Sequence, residues 1–210
     1  MNQVRPKADH TVAVDLMGGD YAPGAIIDGC VLALERGASI LAFGDQASVE
    51  KLNSIAGRLK LETVVCDEVI SAEDSPVRAI RAKKDSTIVQ GLSAVKNKRA
   101  GAFVSAGSTG ALLAGGVLII RRSKVVERPC LATLLPSNSG RGTLFMDLGA
   151  SADVRSGTLV DFGLMGKIYA ERVLGRSDPK IGLLNIGTEK DKGNMITRKA
   201  YELMKKAPMN

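Results

Sequence analysis

The sequence has one histidine, His10, no tryptophan and only 3% aromatic residues. A single imidazole in the first ten residues provides no serine–histidine or cysteine–histidine pair, which excludes those mechanisms of nucleophilic catalysis. The shortage of aromatic rings argues against a protein that stacks on single-stranded nucleic acid. Any catalysis is therefore expected to use lysine, arginine, aspartate, asparagine, hydroxyl groups and backbone dipoles.

The three cysteines, Cys30, Cys66 and Cys130, lie far apart in apolar runs. Their spacing matches no metal-ligand pattern and one histidine cannot complete a ligand set, so we expect neither a metal site nor a cofactor. We expect buried free thiols in the reducing cytoplasm. No apolar run approaches the ~20 residues of a membrane span. Residues 1–10 are polar, which predicts a loose tail and not a secretory signal.

Lysine and arginine outnumber aspartate and glutamate by 29 to 22, which gives a formal charge of +7. This excess is compatible with an anionic substrate, an acidic protein partner or anionic lipid, and it does not choose among them. Part of it forms a cation cluster at a predicted helix, which consists of Arg78, Arg81, Lys83 and Lys84. The cluster is either a solvated helix face or a docking surface for a negatively charged partner.

Short apolar runs alternate with stretches of helical periodicity along the chain. Strands are predicted at residues 11–15, 40–43, 61–66, 102–104, 130–135, 143–146 and 181–184. Helices are predicted between and after these strands, including residues 111–122 and 158–174. Strands that alternate with helices imply a mostly parallel sheet covered on both faces. We therefore expect one α/β domain over residues 11–210.

The stretch from Val104 to Leu113 is the strongest candidate for a site. A short apolar strand that we expect to be buried precedes it, and an apolar helix follows. Small residues in such a turn direct several backbone N–H groups to one point, at the positive end of a helix dipole. This arrangement favours an anion. A tight strand-to-helix turn that needs small residues explains the same pattern, because glycine-rich turns open many α/β helices.

Polar, glycine-rich stretches follow four of the predicted strands, at residues 15–20, 105–110, 147–151 and 185–194. Ligands of open α/β sheets bind at the carboxyl ends of the strands, so we expect these four stretches to converge on one pocket. The chain has no P-loop signature and no G-x-G-x-x-G after its first strand. It also has no nucleophile elbow. These absences argue against a P-loop NTPase, a dinucleotide enzyme and an α/β-hydrolase.

Several stretches resemble the phosphate acyltransferase family of bacterial phospholipid synthesis. The resemblance is carried by residues 14–23 (VDLMGGDYAP), 83–86, 104–113, 128–136 and 182–194. It implies a Rossmann-like three-layer α/β/α sandwich akin to the phosphotransacetylases and isopropylmalate dehydrogenases. Family members continue well past Asn210, so the resemblance also implies that the chain is truncated and its domain incomplete at the C-terminus.

The resemblance implies transfer of a fatty acyl group from acyl carrier protein to inorganic phosphate, which forms acyl phosphate for phospholipid synthesis. It implies a cytoplasmic homodimer that visits the membrane surface, where a glycerol-3-phosphate acyltransferase uses the product. Nucleic acid is not among the implied partners. Two alternatives stay open, a phosphotransacetylase-like enzyme that uses an acyl-CoA and a truncated, non-catalytic module that binds carrier protein.

In such a reaction phosphate attacks a thioester carbonyl, so the site has to hold phosphate and stabilise an oxyanion. We assign the phosphate contacts to the backbone N–H groups of Gly107, Ser108 and Thr109 and to the hydroxyl groups of Ser108 and Thr109. Gly110 is a further candidate for binding phosphate or substrate. The family usually has asparagine at the position of Ser108, and also at that of Ser151.

Other polar residues supply the remaining roles in this hypothesis. Lys190 or Lys192 neutralises charge, or belongs to a solvated loop. Asn185 and Asn194 donate to the carbonyl oxygen. The other substrate-binding candidates are Asp15, Gly18, Gly19, Asp20, Asp147, Ser151 and Gly187. The three aspartates orient loops or bind the pantetheine arm, and turn capping is the alternative for them. The cation cluster becomes the predicted docking surface for the carrier protein.

Overall fold

The structure, a computed structural model, describes residues 10–57, 59–138, 140–149, 151, 153–189 and 192–210. The chain divides into two compact units, one ending at Arg121 and the other beginning at Arg122. The single domain expected from the sequence stays a prediction. Of the predicted N-terminal tail only His10 lies within the described residues, and it is exposed.

The first unit alternates strands and helices. Its strands are β1 (Thr11–Asp15), β2 (Ser39–Gly44), β3 (Leu61–Val65) and β4 (Ala102–Val104). Its helices are α1 (Gly24–Glu35), α2 (Gln46–Ala56), α3 (Pro76–Ala82), α4 (Thr87–Lys96) and α5 (Thr109–Gly115), which continues as a π-helical turn (Gly116–Ile120). The strands pair in parallel in the order β3-β2-β1-β4. This sheet confirms the predicted α/β class.

Neighbouring residues of β1 enter different cores, because successive side chains of a strand point to opposite faces of the sheet. Val14 packs with Ile27, Cys30 and Leu34 of α1 and with residues of α2. Ala13 packs in a separate cluster with Phe43 of β2 and with Ala94 of α4. Helices therefore cover both faces of the sheet, as in a Rossmann-like three-layer arrangement.

A third apolar cluster joins the helices that follow the sheet. Ala79 and Ile80 of α3 pack with Leu92 of α4 and Ala111 of α5. Ile80 is 1% and Ala111 is 0% exposed. This cluster holds the helix that carries Arg78 and Arg81 against the helix that begins at Thr109.

The second unit contains a β-hairpin and two packed helices. Its elements are β5 (Ala132–Leu135), β6 (Thr143–Met146), α6 (Ser156–Arg172) and α7 (Met195–Met204). The two strands are antiparallel, with Ala132 opposite Met146. The Ser156 hydroxyl donates to the Ile196 carbonyl at 3.0 Å, which ties the start of α6 to α7.

Three predictions about individual elements were wrong. Residues 181–184 form no strand; Ile181 donates its amide to the Asn210 carbonyl at 2.7 Å, and Leu184 is 80% exposed. An extended segment becomes a strand only beside a ladder partner, and within the described residues this one has none. The strand at 102–104 is confirmed, but its expected burial was wrong, because β4 is an edge strand of the sheet and Val104 is 55% exposed. Helix α3 ends at Ala82, so Lys83 and Lys84 follow it.

The predicted free thiols are confirmed for the three cysteines. Cys30 and Cys66 are buried and Cys130 is half-buried, and none forms a disulfide. Burial raises the pKa of Cys30 to about 11 and that of Cys66 to about 12. Both thiols pack in apolar clusters of the first unit, Cys30 in the cluster that contains Val14 and Cys66 in the cluster that contains Ala13. Among the described residues, none of the helices combines the length and the hydrophobicity of a membrane span.

Asp45 caps helix α2, and its removal tests that role. Its Oδ1 accepts the Ser48 amide at 2.8 Å, so Asp45→Ala is expected to cost about 1 kcal/mol of unfolding free energy. Hydrogen bonds from the Ser48 side chain and then from the Ser48 amide hold the pKa of Asp45 below its usual value. The stabilisation is therefore present above the unfolded-state pKa and lost as pH falls through the lower, folded-state value. Urea unfolding at neutral and acid pH measures both effects.

Asp28→Ala is the matched control, because Asp28 is an exposed aspartate inside helix α1. It changes the net charge equally without removing a cap. A loss of stability that is equal for Asp45→Ala and Asp28→Ala, or that persists unchanged in acid, would contradict the capping role.

Candidate functional site

The carboxyl ends of β1 and β4 lie side by side and bring two of the predicted loops together. The strands pair in parallel with Val14 opposite Val104, so Asp15 and Ser105 follow at equivalent positions. The Ser105 hydroxyl donates to Asp15 Oδ2 at 2.6 Å, and Asp15 is 1% exposed. A buried carboxylate thus joins two loops that are 90 residues apart in sequence.

Further hydrogen bonds spread from this pair into both loops. The Met17 amide donates to Asp15 Oδ1 at 3.0 Å, and the Gly107 amide donates to Ser105 Oγ at 3.0 Å. The two side chains therefore fix the course of the backbone after each strand. Asp15 was a predicted site residue, whereas the role of Ser105 was missed. Its position directly after the neighbouring parallel strand is the signal that could have revealed it.

Two glycines let the loops touch. A Cβ atom at Gly18 would lie 2.6 Å from Asp15 Oδ2, 2.7 Å from the Gly107 nitrogen and 2.8 Å from Ser105 Oγ. Gly19 has a φ of +100°, and a Cβ atom there would lie 3.0 Å from the Ala106 Cβ. We call the group of Asp15, Gly18, Gly19, Ser105 and Gly107 the cradle. The remaining predicted residue of this loop, Asp20, is exposed.

The turn that follows the cradle begins helix α5. Ser108 is its N-cap, and the Ser108 Oγ accepts the Ala111 amide at 3.3 Å. Within the described chain no hydrogen-bond partner is present for the amides of Ser108, Thr109 and Gly110 or for the Thr109 hydroxyl. The assignment of the Gly107 amide to phosphate was wrong, because this amide donates to Ser105 Oγ. Three amides and one exposed hydroxyl of this turn therefore remain available to a ligand.

The basic helix α3 begins beside this turn. A Cβ atom at Gly110 would lie 2.8 Å from the Pro76 Cγ, at the first turn of α3. Further along this helix, Arg78 and Arg81 are exposed and line a cleft of about 500 Å³ together with Ser75, Val77 and Ala82. Two guanidinium groups thus lie on the helix that starts at the candidate anion site.

The two lysines of the predicted cation cluster have structural partners. Lys83 forms an ion pair with Asp74 at 2.7 Å and donates to the Val69 carbonyl at 2.8 Å. The Lys83 ammonium, followed by the Ser71 amide, holds the pKa of Asp74 below its usual value. Lys84 donates to the Ile80 carbonyl at 3.2 Å, near the end of α3. Within the described residues, the exposed cations of the cluster without such partners are therefore Arg78 and Arg81.

Asp147, in the second unit, organises the loop after β6. Its Oδ1 accepts the Leu131 amide at 2.9 Å, and its Oδ2 accepts the Ser151 amide at 2.9 Å. Both carboxylate oxygens thus hold backbone of the same unit. This geometry favours the loop-orienting role for Asp147 and places Ser151 beside it.

The loop before α7 is also bonded to itself. Asn185 Nδ2 donates to the Lys192 carbonyl at 3.2 Å, and the Ile186 amide donates to Asn185 Oδ1. Asn194 is the N-cap of α7, its Oδ1 accepting the Thr197 amide at 2.9 Å. A Cβ atom at Gly187 would lie 2.7 Å from Glu189 Oε2. Lys192 is exposed, and Lys190 lies outside the described residues.

The structure brings together the predicted residues of the first unit, from the β1 loop, the β4 loop and the start of α3. It brings together Asp147 with Ser151, and Asn185 with Lys192, inside the second unit. Convergence of all four loops on one pocket stays a prediction. Among the described residues no group of three or more histidine, cysteine, aspartate or glutamate side chains could hold a metal ion.

Comparison with known proteins identifies similar sequences over nearly the whole chain. A family model described as fatty acid synthesis protein matches residues 10–210. A phosphate acyltransferase of Caldicellulosiruptor saccharolyticus is 45% identical over 200 residues, which cover 93% of this chain and 60% of that relative. A phosphate acyltransferase of Lysinibacillus sphaericus is 46% identical over 201 residues, which cover 95% of this chain and 60% of that relative. A phosphate acyltransferase of Listeria monocytogenes is 44% identical over 196 residues, which cover 92% of this chain and 58% of that relative. The chain thus spans about 60% of the length of these curated relatives.

Proposed function

The chain belongs to the family of fatty acid synthesis proteins, and from this premise we propose that it transfers a fatty acyl group from acyl carrier protein to inorganic phosphate. The relatives at about 45% identity are named phosphate acyltransferases, which supports an acyl transfer to phosphate. The cradle and the adjoining turn support a site for an anion in the first unit. The carrier protein as donor and phospholipid synthesis as destination rest on the resemblance.

The reaction needs no imidazole and no metal ion. A phosphate oxygen forms a bond to the thioester carbonyl carbon, the carbon–sulfur bond breaks, and the proton of hydrogen phosphate ends on the departing thiol. Because a thiol has a pKa near ~8.5, the thiolate leaves without a strong general acid. The protein's task is then to hold phosphate beside the thioester and to stabilise the negative charge on the carbonyl oxygen.

We assign phosphate to the turn at the start of α5. The amides of Ser108, Thr109 and Gly110 and the Thr109 hydroxyl supply up to four donors without a partner among the described residues. Asp15 and Ser105 act behind them, because their hydrogen bonds fix the loop that leads into the turn. Ser108 has two roles, since its side chain caps helix α5 and its amide is a donor to phosphate.

The polar groups of the second unit have supporting roles in this proposal. The Asn194 side-chain nitrogen has no partner in the described chain, so it remains a candidate donor to the carbonyl oxygen. Asn185 uses its amide group to hold its own loop. The exposed Lys192 is the candidate that neutralises charge. Asp147 holds the loop that contains Ser151.

We propose that Arg78 and Arg81, and not Lys83 and Lys84, dock the acidic carrier protein. Both guanidinium groups are exposed beside Val77, which is 49% exposed, so the cleft combines positive charge with an apolar contact. Charge of opposite sign across an interface raises the rate of encounter and fixes orientation. The two lysines instead hold the loop between β3 and α3 and the end of α3.

Charge reversal tests this docking surface. The double variant Arg78→Glu, Arg81→Glu is expected to weaken carrier-protein binding by about tenfold or more at low salt, with the difference shrinking as salt is raised. Arg36→Glu, Lys51→Glu is the control, because both of these residues are exposed in the same unit and the net charge changes equally. Calorimetry with acyl carrier protein measures both variants. If both double variants weakened carrier-protein binding equally, the result would contradict a docking surface at Arg78 and Arg81.

The function itself is tested by supplying acyl carrier protein thioester and phosphate to the protein and trapping acyl phosphate with hydroxylamine. We expect phosphate-dependent formation of acyl hydroxamate together with release of thiol. A parallel assay with an acyl-CoA distinguishes the donors, since a phosphotransacetylase would prefer that substrate. Binding of carrier protein without any acyl hydroxamate would instead indicate a non-catalytic module. The homodimer, the visit to the membrane surface and the glycerol-3-phosphate acyltransferase partner stay predictions.

A further inference from the structure

The second unit contains a cavity of about 690 Å³, lined by Asp147 and Ser151 and otherwise by residues to which no role has been assigned. It is lined by β6, by one face of α6 and by the segment 179–184. Its volume falls within the ~300–1,000 Å³ of small-molecule sites. Most of its lining is apolar, with Leu144, Phe145, Phe162 and Leu183 among the contributing side chains.

Small residues on α6 make room for this cavity. Gly163, Gly166 and Ala170 are spaced by three and four residues, which places them on one face of the helix. A Cβ atom at Gly166 would lie 3.6 Å from the Met146 Sδ, and one at Gly163 would lie 2.8 Å from the Met204 Cε. The opposite wall is thus formed partly by methionines, whose flexible side chains adapt to apolar ligands of different length.

The charged groups of the lining favour an anion. They are Asp147, Arg176 and Lys180. Both oxygens of Asp147 accept backbone amides, and Arg176 donates to the Arg141 carbonyl. Lys180 is exposed and has no ion-pair partner among the described residues. Two cations therefore line the cavity beside a single carboxylate whose oxygens already hold the backbone.

We infer that this cavity is the binding subsite for the acyl chain, a linear saturated chain that can also enter as a free fatty acid. The apolar lining takes the chain, and Lys180 with Arg176 complements the carboxylate of the free fatty acid. The inference rests on the proposed function, because that function supplies a fatty acyl substrate. It assigns to Gly166 the role of a residue that determines chain length, since any side chain there would extend towards Met146.

Binding of fatty acids by the 210-residue chain tests the subsite. Octanoate, dodecanoate and hexadecanoate compete with a fluorescent polyene fatty acid, and displacement gives their affinities. Each methylene that is buried is expected to tighten binding by about fourfold, until the cavity is filled. Hexadecanol, which has the chain without the charge, separates the contribution of the carboxylate.

Gly166→Leu shortens the cavity, and Gly157→Leu is its control. Gly157 lies on the same helix, is exposed and has no atom within 4 Å of the added Cβ position. Gly166→Leu is expected to weaken hexadecanoate binding by at least about tenfold and to spare octanoate. Gly166→Ala, whose Cβ meets Met146 at an ordinary contact distance, should give a smaller effect in the same direction even if the leucine variant fails to fold. Lys180→Met should weaken hexadecanoate and leave hexadecanol unchanged.

Affinity that does not depend on chain length, or an equal effect of Gly157→Leu and Gly166→Leu, would overturn the subsite. This result is distinguishable from failure of the proposed function. Fatty-acid binding with the expected pattern but no acyl phosphate would contradict the activity alone. Acyl phosphate formation with unchanged chain-length preference in Gly166→Ala and Gly166→Leu would contradict the subsite alone.

Discussion

Gly18→Ala is expected to lower the free energy of unfolding by about 3 kcal/mol, at the upper end of the usual cost of overpacking. The added Cβ atom would lie within 3 Å of Asp15 Oδ2, the Gly107 nitrogen and Ser105 Oγ. None of these atoms is the far end of a long side chain that can swing aside. Relief of the clash has to separate the two loops and break the hydrogen bond between Ser105 and the buried Asp15. Leaving a buried carboxylate with fewer donors adds to the cost.

Gly29→Ala provides the matched control for this substitution. Gly29 lies inside helix α1, and nothing is within 4 Å of its added Cβ position. Alanine there should raise stability by about 0.5–1 kcal/mol, because glycine is a poor residue for a helix interior. Urea unfolding followed by far-ultraviolet circular dichroism measures both changes. A Gly18→Ala variant as stable as Gly29→Ala would show that the loops do not pack as described.

Strand β1 and helix α2 of the first unit were predicted well because their signals are local. The run from Thr11 to Asp15 is apolar and ends at a carboxylate, and helix α2 begins where Asp45 can cap it. Such patterns need only neighbours in the sequence. The open strand ends of a parallel α/β sheet indicate where a ligand would bind, so the glycine-rich turns stay the predicted candidates for the site.

Contacts between distant residues explain what the sequence did not reveal. The bond from Ser105 to Asp15 depends on the parallel register of β1 and β4, which no local pattern encodes. Lys83 was grouped with the arginines because the four cations are close in sequence, whereas its ammonium pairs with Asp74. A run such as Ile181–Leu184 is apolar enough for a strand but lacks a ladder partner among the described residues.

Thr109→Val is expected to lower kcat/KM for phosphate by about a hundredfold, within the range seen when one donor to a developing charge is removed. Thr109 is the first residue of α5, is exposed, and its hydroxyl has no partner in the described part of the chain. Valine has the same shape, so the variant removes the donor and little else. Its unfolding free energy should stay within about 0.5 kcal/mol of the parent, as for other surface substitutions.

The division of this loss between KM and kcat shows what the hydroxyl does. If it holds phosphate equally in the ground state and the transition state, KM for phosphate rises and kcat is unchanged. If it acts only on the charge that develops during attack, kcat falls and KM stays. Hydroxylamine trapping over a series of phosphate concentrations measures both constants, and phosphorus NMR measures phosphate binding without turnover. Thr133→Val, in strand β5, is the control for loss of a threonine hydroxyl. Because the Thr109 hydroxyl has no partner among the described residues, unchanged phosphate binding together with unchanged kcat/KM would remove it from the site and move the assignment to the amides of the turn.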